Sequence, residues 1–339
     1  MVKLVVQIPC LNEEATLPAV LRSIPRRIPG IDEIIVLVVD DGCTDGTVSV
    51  ARQHGVREFV HHARNQGLGR SFHDGIVRAL ELGADIVVNT DGDNQYPQDR
   101  ITDLVRPIVQ GRADIVIADR QVDLVEHFSP LKKRLQKIGS AVVNRAAGTE
   151  LPDAASGFRA YSRESLMLLN TITRFSYCME TIIQAGNKRL RIESVPVVTN
   201  AKTRESRLFR STPEHILKSA AAIIRSFMMY KPYVIFFWAT LFFGILGLIP
   251  FVRYLVLWFQ YDARGHVQSL LLGSLLIILA CMSAMLGVIA DLIRTNRILI
   301  EDDLEHTKKA RFGKSGTEML RDQTSVPEFD LPAARSDVH

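Results

Sequence analysis

Two long uncharged runs govern what this chain can fold into. Tyr233–Phe251 carries no charged residue, and neither does Val267–Ala290. Each approaches the roughly 20 apolar residues that a bilayer-crossing helix needs, and core helices of soluble domains seldom run so long without a charge. Arg253 interrupts the first run before Tyr254–Phe259 continues it. The short Gln260–His266 connection makes the pair a hairpin, expected over 232–294 with spans near 233–258 and 267–293. Arg225 and Lys231 precede the first span, Arg294 and Arg297 follow the second, and the connection holds only Arg264. The positive-inside rule then puts both termini and the larger domain in the cytoplasm, with Arg253 snorkelling to the far interface. Small residues between Gly273 and Gly287 permit close helix approach and so a homo-oligomer. In the 211–231 region, Ile216, Leu217, Ala220, Ile223, Ile224, Phe227 and Met228 fall at helical spacing beside Lys218 and Arg225. That pattern predicts an amphipathic helix lying in the membrane surface. From 295 to 339 the chain is expected to form a mostly disordered cytoplasmic tail, because it turns polar and loses periodicity.

Residues 1–210 read as a separate soluble domain, large enough to bury its own core. Both tryptophans, Trp238 and Trp258, lie outside it. Net charge is only +4, with no basic stripe interleaved with aromatics, which argues against nucleic acid as a partner. Cys10, Cys43, Cys178 and Cys281 are widely separated, so a zinc site is not expected and a reducing compartment is. No signal-peptide pattern opens the chain. Apolar runs at Leu4–Ile8, Glu33–Val39, Arg57–His61, Ala84–Asn89 and Ala113–Ala118 alternate with helically spaced segments at Glu13–Ile24, Thr47–His54, Ser71–Leu82 and Ile101–Val109. This alternation predicts an α/β, Rossmann-like domain with a mostly parallel, doubly wound sheet. Ligands of such sheets sit beyond the carboxyl ends of the strands. Further on, Pro130–Ala147 and Arg163–Leu169 read as helices around a loop at Asp153–Arg159, and Arg189–Val198 reads as a strand.

The polar clusters fall where that rule wants them. Asp91-Gly92-Asp93 directly follows a buried run. Two carboxylates two residues apart at a strand end suit a hard cation, Mg²⁺ or Mn²⁺, with Gln95 as a further oxygen ligand. The alternative is a capping turn before the Ile101 helix. Pro9-Cys10-Leu11-Asn12-Glu13 ends the first strand, and Asp40-Asp41-Gly42 ends the second, with Asp45 suited to cap the next helix. A base or ribose hydroxyl would suit Asp40 or Asp41. Asn65-Gln66-Gly67-Leu68-Gly69 is a glycine-bearing loop that admits a phosphate or sugar close to backbone. No Walker sequence is present, which disfavours a P-loop nucleotidase.

Taken in order, Pro9…Asn12-Glu13, Asp40-Asp41-Gly42…Asp45-Gly46-Thr47, Asn65-Gln66-Gly67-Leu68-Gly69, Asp91-Gly92-Asp93 and Ser156-Gly157-Phe158-Arg159 resemble the family 2 glycosyltransferases of GT-A fold. Within them the chain resembles the polyprenyl-phosphate glycosyltransferases, the dolichyl-phosphate mannose synthase group. The resemblance spans roughly residues 2–210, and the hairpin matches the branch with two or more membrane helices. It implies that Pro9, Asn12, Glu13 and Asp40 hold the nucleotide; Asp41, by its place at the second strand end, and Asn65 and Gly67, by theirs in the glycine loop, are added to the nucleotide-sugar site. The resemblance also implies that Asp91, Asp93 and Gln95 hold the metal and diphosphate.

A polyprenyl or dolichyl phosphate is already an anion at neutral pH, its second pKa being near about 6, so no dedicated base is required to activate it. The site must instead hold two repelling phosphate groups together, with a metal on one and arginine on the other. Arg120, Arg134, Arg159, Arg204 and Arg207 are the candidate cations, with Ser156 and Ser206 beside them. The related enzymes more often end that last segment in Ser-Lys, where Arg207 stands here. Asp153 resembles an acidic position near sugar or acceptor, and Glu180 is a further candidate for that region. The QxxRW sequence of processive synthases is missing, which implies a single sugar transfer. The expected activity is therefore inverting, metal-dependent transfer of one hexose from a nucleoside diphosphate sugar, of the GDP-mannose or UDP-glucose class, to a polyprenyl phosphate at the cytoplasmic face of a bilayer. Two rivals are a transferase acting on another lipid acceptor such as a hydroxyl, with Asp153 as base, and a non-catalytic, membrane-anchored nucleotide-sugar-binding subunit.

Overall fold

The computed structural model describes residues 1–122, 130–171, 177–200, 228, 232–261 and 267–313. Arg204, Ser206, Arg207, the expected interfacial helix and the last part of the tail lie outside them, apart from residue 228. Strands β1 (Lys3–Cys10), β2 (Glu33–Asp40), β3 (Glu58–His61), β4 (Ile86–Asn89), β5 (Ile115–Asp119), β6 (Arg159–Ser162) and β7 (Ile192–Pro196) form one sheet in the order β3-β2-β1-β4-β6-β5-β7. Most neighbours are parallel, as the alternation predicts. The exception is β6, which runs antiparallel to both β4 and β5. The sheet is therefore mixed, and a segment read as the far edge of a loop is a fully buried central strand. Pro9 lies inside β1, which runs on to Cys10. The proline is tolerated because β1 pairs with β4 only from Leu4 to Gln7, so the missing N–H falls beyond that ladder.

Helices cover both faces. On one side α3 (Leu68–Glu81), α5 (Pro130–Ala147), α6 (Arg163–Leu168) and α7 (Tyr177–Asn187) enclose a core that includes Val5, Leu37, Phe72, Val143, Tyr161 and Tyr177. On the other, α1 (Leu17–Ser23), α2 (Thr47–Gln53) and α4 (Ile101–Val109) cover Leu4, Val6, Ile8, Val38, Val88 and Val116. Successive strand residues thus feed opposite cores, as the period-2 geometry of a doubly covered sheet requires.

Two long helices follow, α8 (Pro232–Tyr261) and α9 (Val267–Phe312). Both are long and apolar enough to cross a membrane, and the segments are only 6% and 11% buried within the protein. Such exposure of Phe, Leu and Ile suits a lipid environment and not a soluble core. Two glycines of this region pack within the hairpin. A Cβ at Gly273 would lie 2.8 Å from the Phe251 ring, and one at Gly287 would lie 3.0 Å from Phe236 Cβ.

The expected end of α9 near 293 needs correction. The helix continues to Phe312, so residues 295–312 are not a disordered tail. Its polar extension is held by ion pairs at helical spacing, Arg297–Glu301 at 2.7 Å and Lys309–Glu305 at 2.6 Å. The end docks on the sheet domain. Lys308 Nζ donates to Leu169 O and Asn170 Oδ1, both at 2.7 Å, and Arg311 pairs with Glu81 at 2.8 Å. Arg163 donates to Phe312 O, while the Phe312 ring joins the core with Phe72 and Leu169. Burying a ring of this size contributes about 2–3 kcal/mol.

Candidate active site

The carboxyl ends of β1, β2, β4 and β5 meet on one rim. At the end of β1, Asn12 adopts a left-handed backbone (φ 58°), and its Oδ1 accepts the Thr44 N–H at 2.8 Å. Cys43 accepts the Asn12 N–H at 3.2 Å and donates to Cys10 O at 3.4 Å. Burial pushes that thiol up to about 11, so it stays neutral. Glu13 is buried. Its backbone N–H donates to Thr47 Oγ1 at 2.8 Å, and Thr16 Oγ1 reaches both Glu13 Oε2 (2.9 Å) and Gly92 O (2.8 Å). This joins the β1 loop to the Asp91–Asp93 loop. A Cβ at Gly92 would sit 3.1 Å from Glu13 Cγ and 3.2 Å from Cys10 Sγ, so the glycine permits the approach.

Asp40 and Asp41 end β2 with different tasks. Asp40 accepts the Cys43 N–H at 2.7 Å and pairs with His61 Nδ1 at 2.9 Å. Burial raises its carboxyl, but those two donors outweigh burial and hold it below the usual carboxylate range. Asp41 is buried and engages the glycine loop. Its oxygens accept the N–H groups of Gln66 (2.8 Å) and Gly67 (3.0 Å), and Oδ1 lies 2.7 Å from His62 Nδ1. The other His62 nitrogen lies 3.1 Å from Asp74 Oδ2. Asp41 therefore pins the glycine loop. Asn65 is exposed on that loop, and Gly67 (φ 93°) opens α3. Asp45 accepts the Thr47 N–H at 3.0 Å, but Gly46 occupies the cap position of α2, so Asp45 sits one residue before the cap expected of it.

Beyond β4, Asp91 and Asp93 are half-buried around buried Gly92. Asp93 Oδ1 accepts the Gln95 N–H at 3.1 Å. Neither the short turn at Gln98–Arg100 nor α4 has a side-chain cap, so the carboxylates do not serve as one. A Cβ at Gly157 would lie 3.5 Å from Asp91 Oδ2, which sets the Ser156–Gly157 loop directly against Asp91.

At the end of β5, Arg120 grips Asp153 in a two-point ion pair, Nε to Oδ2 at 2.5 Å and Nη2 to Oδ1 at 2.9 Å. Asp153 is fully buried, while Arg120 keeps 16% of its side chain exposed. Burial raises the Asp153 carboxyl, but Arg120 and the Ala155 N–H more than reverse this and hold it below the usual range. Tyr96 lies near both this pair and the Ser156–Gly157 loop. Its hydroxyl accepts the Gly157 N–H at 3.1 Å, and Arg120, Asp91 and Asp153 all act on it electrostatically. Burial pushes the phenol up to about 12, which keeps it protonated.

Arg159 is elsewhere. It has no exposure and lies beneath the loop. Its guanidinium donates to Ser156 O (2.7 Å), Ala154 O (2.9 Å), Cys178 O (2.9 Å) and Thr181 Oγ1 (3.0 Å). The expected phosphate ligand is thus a strut that shapes the Ala154–Ser156 loop. Ser156 Oγ is buried with no hydrogen-bond partner among the described residues. Arg134 is exposed on α5, and Glu180 is buried in the first turn of α7. The sequence reading missed Asn89 and Tyr177, which hold the same loop from below. Asn89 Nδ2 donates to Gly157 O (3.2 Å) and to Tyr177 OH (2.6 Å), and Tyr177 stacks on Phe72 with centroids 3.9 Å apart. A polar Asn inside an otherwise apolar strand was the available signal.

Residues 5–169 match the family model described as glycosyl transferase family 2. The chain belongs to that family. It is 29% identical over 213 residues to a UDP-N-acetylglucosamine–dolichyl-phosphate N-acetylglucosaminyltransferase of Methanococcus voltae, covering 57% of this chain and 83% of that protein. It is likewise 29% identical over 200 residues to an undecaprenyl-phosphate mannosyltransferase of Micrococcus luteus, covering 56% of this chain and 80% of that one. Among solved structures, glucosyl-3-phosphoglycerate synthase from Mycobacterium tuberculosis, crystallised with Mn²⁺, UDP-glucose and phosphoglyceric acid, superposes with a TM-score of 0.52. Identity is 23%, covering 65% of this chain and 79% of that one. The likeness shows the fold, the GT-A arrangement expected from the motifs. Family members are glycosyltransferases, and this chain is an enzyme of that class.

Proposed function

We propose that this glycosyltransferase moves one hexose from a nucleoside diphosphate sugar to a polyprenyl or dolichyl phosphate, with inversion, at the cytoplasmic face of the bilayer that α8 and α9 cross. The observation that carries the reading is the junction of the two halves of the rim. The carboxylate of Asp91 lies against the Ser156–Gly157 loop, and Tyr96, which accepts a hydrogen bond from that loop, is within electrostatic reach of the Arg120–Asp153 pair. An acidic pole and a cationic pole thus share one wall. The two named relatives, whose acceptors are dolichyl and undecaprenyl phosphate, support the same acceptor class.

Pro9, Asn12, Glu13 and Asp40 line the nucleotide end. Asp91 and Asp93, with Gln95, would hold Mg²⁺ or Mn²⁺. The donor set fits, being hard oxygens with no sulfur or imidazole, and such ions keep open positions for phosphate oxygens and water. Among the described residues no third acidic, histidine or cysteine ligand joins them, so the remaining ligands would come from substrate and solvent. When bound, the cation would neutralise the departing diphosphate as a Lewis acid.

An oxygen of the acceptor phosphate attacks the anomeric carbon. The bond from that carbon to the diphosphate oxygen breaks, its electron pair leaves with the nucleoside diphosphate, and no proton is transferred. A single displacement of this kind inverts the centre. Arg120, whose side chain is partly exposed, meets the acceptor phosphate, and the buried Ser156 hydroxyl offers a further hydrogen bond. Asp153 is held ionised and is already bonded twice by Arg120, which makes it a poor general base. That disfavours a lipid hydroxyl as acceptor. Offering detergent-solubilised enzyme equal amounts of polyprenyl phosphate, free polyprenol and diacylglycerol tests the choice. Label is expected only in the phosphate lipid, whereas label in either alcohol overturns the assignment.

A further inference from the structure

Helix α5 carries five basic residues and no acidic one, from Lys132, Lys133, Arg134 and Lys137 to Arg145. Its inner face is Ser140, Val143, Ala146 and Ala147, all buried. Its outer face repeats at helical spacing. Ile138 is 60% exposed and Val142 41% exposed, with Ala141 between them and Arg134, Lys137 and Arg145 exposed around them. An apolar stripe flanked by Arg134, Lys137 and Arg145 is the composition of a helix that seats on an anionic lipid surface.

One end of this helix lies near α9. The end of α5 abuts the end of α7, where a Cβ at Gly186 would come within 2.1 Å of Ala147 O. Just past α7, Lys188 lies 3.8 Å from Glu301 of α9. Asp291 is the first charged residue after the apolar run of α9, and Glu301 follows about ten residues, or about 15 Å, further along the helix. The other docking contacts of α9, at Lys308, Arg311 and Phe312, lie deeper still. The joined ends of α5 and α7 therefore meet α9 nearer its apolar run than the other docking contacts do.

We infer that the outer face of α5 is a second membrane contact, resting on the anionic headgroups of the same bilayer. This deepens the membrane reading above and depends on it. The contact would press the domain, whose Asp153–Ser156 loop is tied to α5 by the Ala154 N–H to Ser140 Oγ bond at 3.2 Å, against the surface that supplies a lipid phosphate.

Photo-crosslinking of the full chain in nanodiscs tests this. Benzoylphenylalanine replaces Val142 or, separately, Ile138. Val109, 40% exposed on α4 across the sheet, is the aqueous control, and Ile245 of α8 is the lipid control. Lipid adducts are expected at 142, 138 and 245 but not at 109. The adducts at 142 should fall by roughly tenfold when phosphatidylglycerol is replaced by phosphatidylcholine, or when Lys137→Glu and Arg145→Glu are combined. Adducts at 245 with none at 142 or 138 would overturn the inference and leave the anchor standing. Crosslinks from 142 to a second copy or to another protein would also overturn it. Absence of lipid at 245 would remove the membrane reading itself, and this inference with it.

Discussion

Arg120 and Asp153 face each other in a bidentate pair, 2.5 Å and 2.9 Å apart, with the carboxylate fully buried and 16% of the arginine side chain exposed. The acid organises the base. Asp153 sets the orientation of Arg120, and Arg120 alone remains available to a ligand.

Removing the acid should therefore be worse than muting it. Asp153→Ala leaves a buried cation unpaired and is expected to cost about 3–5 kcal/mol of stability. Asp153→Asn keeps one hydrogen bond and should lose less. Denaturant unfolding of both variants checks the order, and equal losses would contradict it.

The pair also fixes a pH response. The Asp153 carboxyl is lower in the folded protein than in the unfolded chain, so its contribution is fully present above the unfolded value near about 3.9 and is lost as pH falls through the folded value. Stability followed from pH 6 downwards should decline less steeply in Asp153→Asn than in the parent. An unchanged acid slope would show that other carboxylates dominate.

Gly42 should resist any side chain. Its φ is +78°, and a Cβ would meet the Arg64 carbonyl carbon at 2.7 Å and Asn65 N at 2.8 Å. Gly42→Ala is expected to lower stability by about 1–3 kcal/mol and to weaken nucleotide binding by displacing the Asn65–Gly69 loop. Thermal unfolding and calorimetric titration with UDP and GDP measure the two effects.

The end of α9 behaves as a clasp. Phe312→Ala removes a ring from the core below α3 and α6, and about 3 kcal/mol of docking with it. Hydrogen exchange should rise across residues 300–312 while the central strands keep their protection. Unchanged exchange over 300–312 would show that the polar contacts suffice.

These features differ in how far the sequence announced them. Strands β1, β2, β4 and β5 were legible because buried Val/Ile runs end in the polar residues of the rim. Arg159-Ala160-Tyr161-Ser162 gave no such signal, since a strand buried on both faces shows no alternation and its leading arginine suggested a ligand. The extension of α9 was hidden by its charges, which sustain the helix through pairs four residues apart. The His62 bridge between Asp41 and Asp74 joins residues that no spacing rule connects. Clustered motifs located the rim, but partners distant in sequence decided which members face it.

The central claim is transfer of a sugar to a lipid phosphate at the Asp91–Asp93 loop. The direct measurement incubates solubilised enzyme with polyprenyl phosphate, Mg²⁺ or Mn²⁺ and radiolabelled GDP- and UDP-sugars, beside Asp93→Ala. The account predicts metal-dependent label in the lipid phase from one donor, reduced by roughly 100-fold or more in the variant. Nucleotide binding without lipid label from any donor, or equal label from the variant, would contradict it.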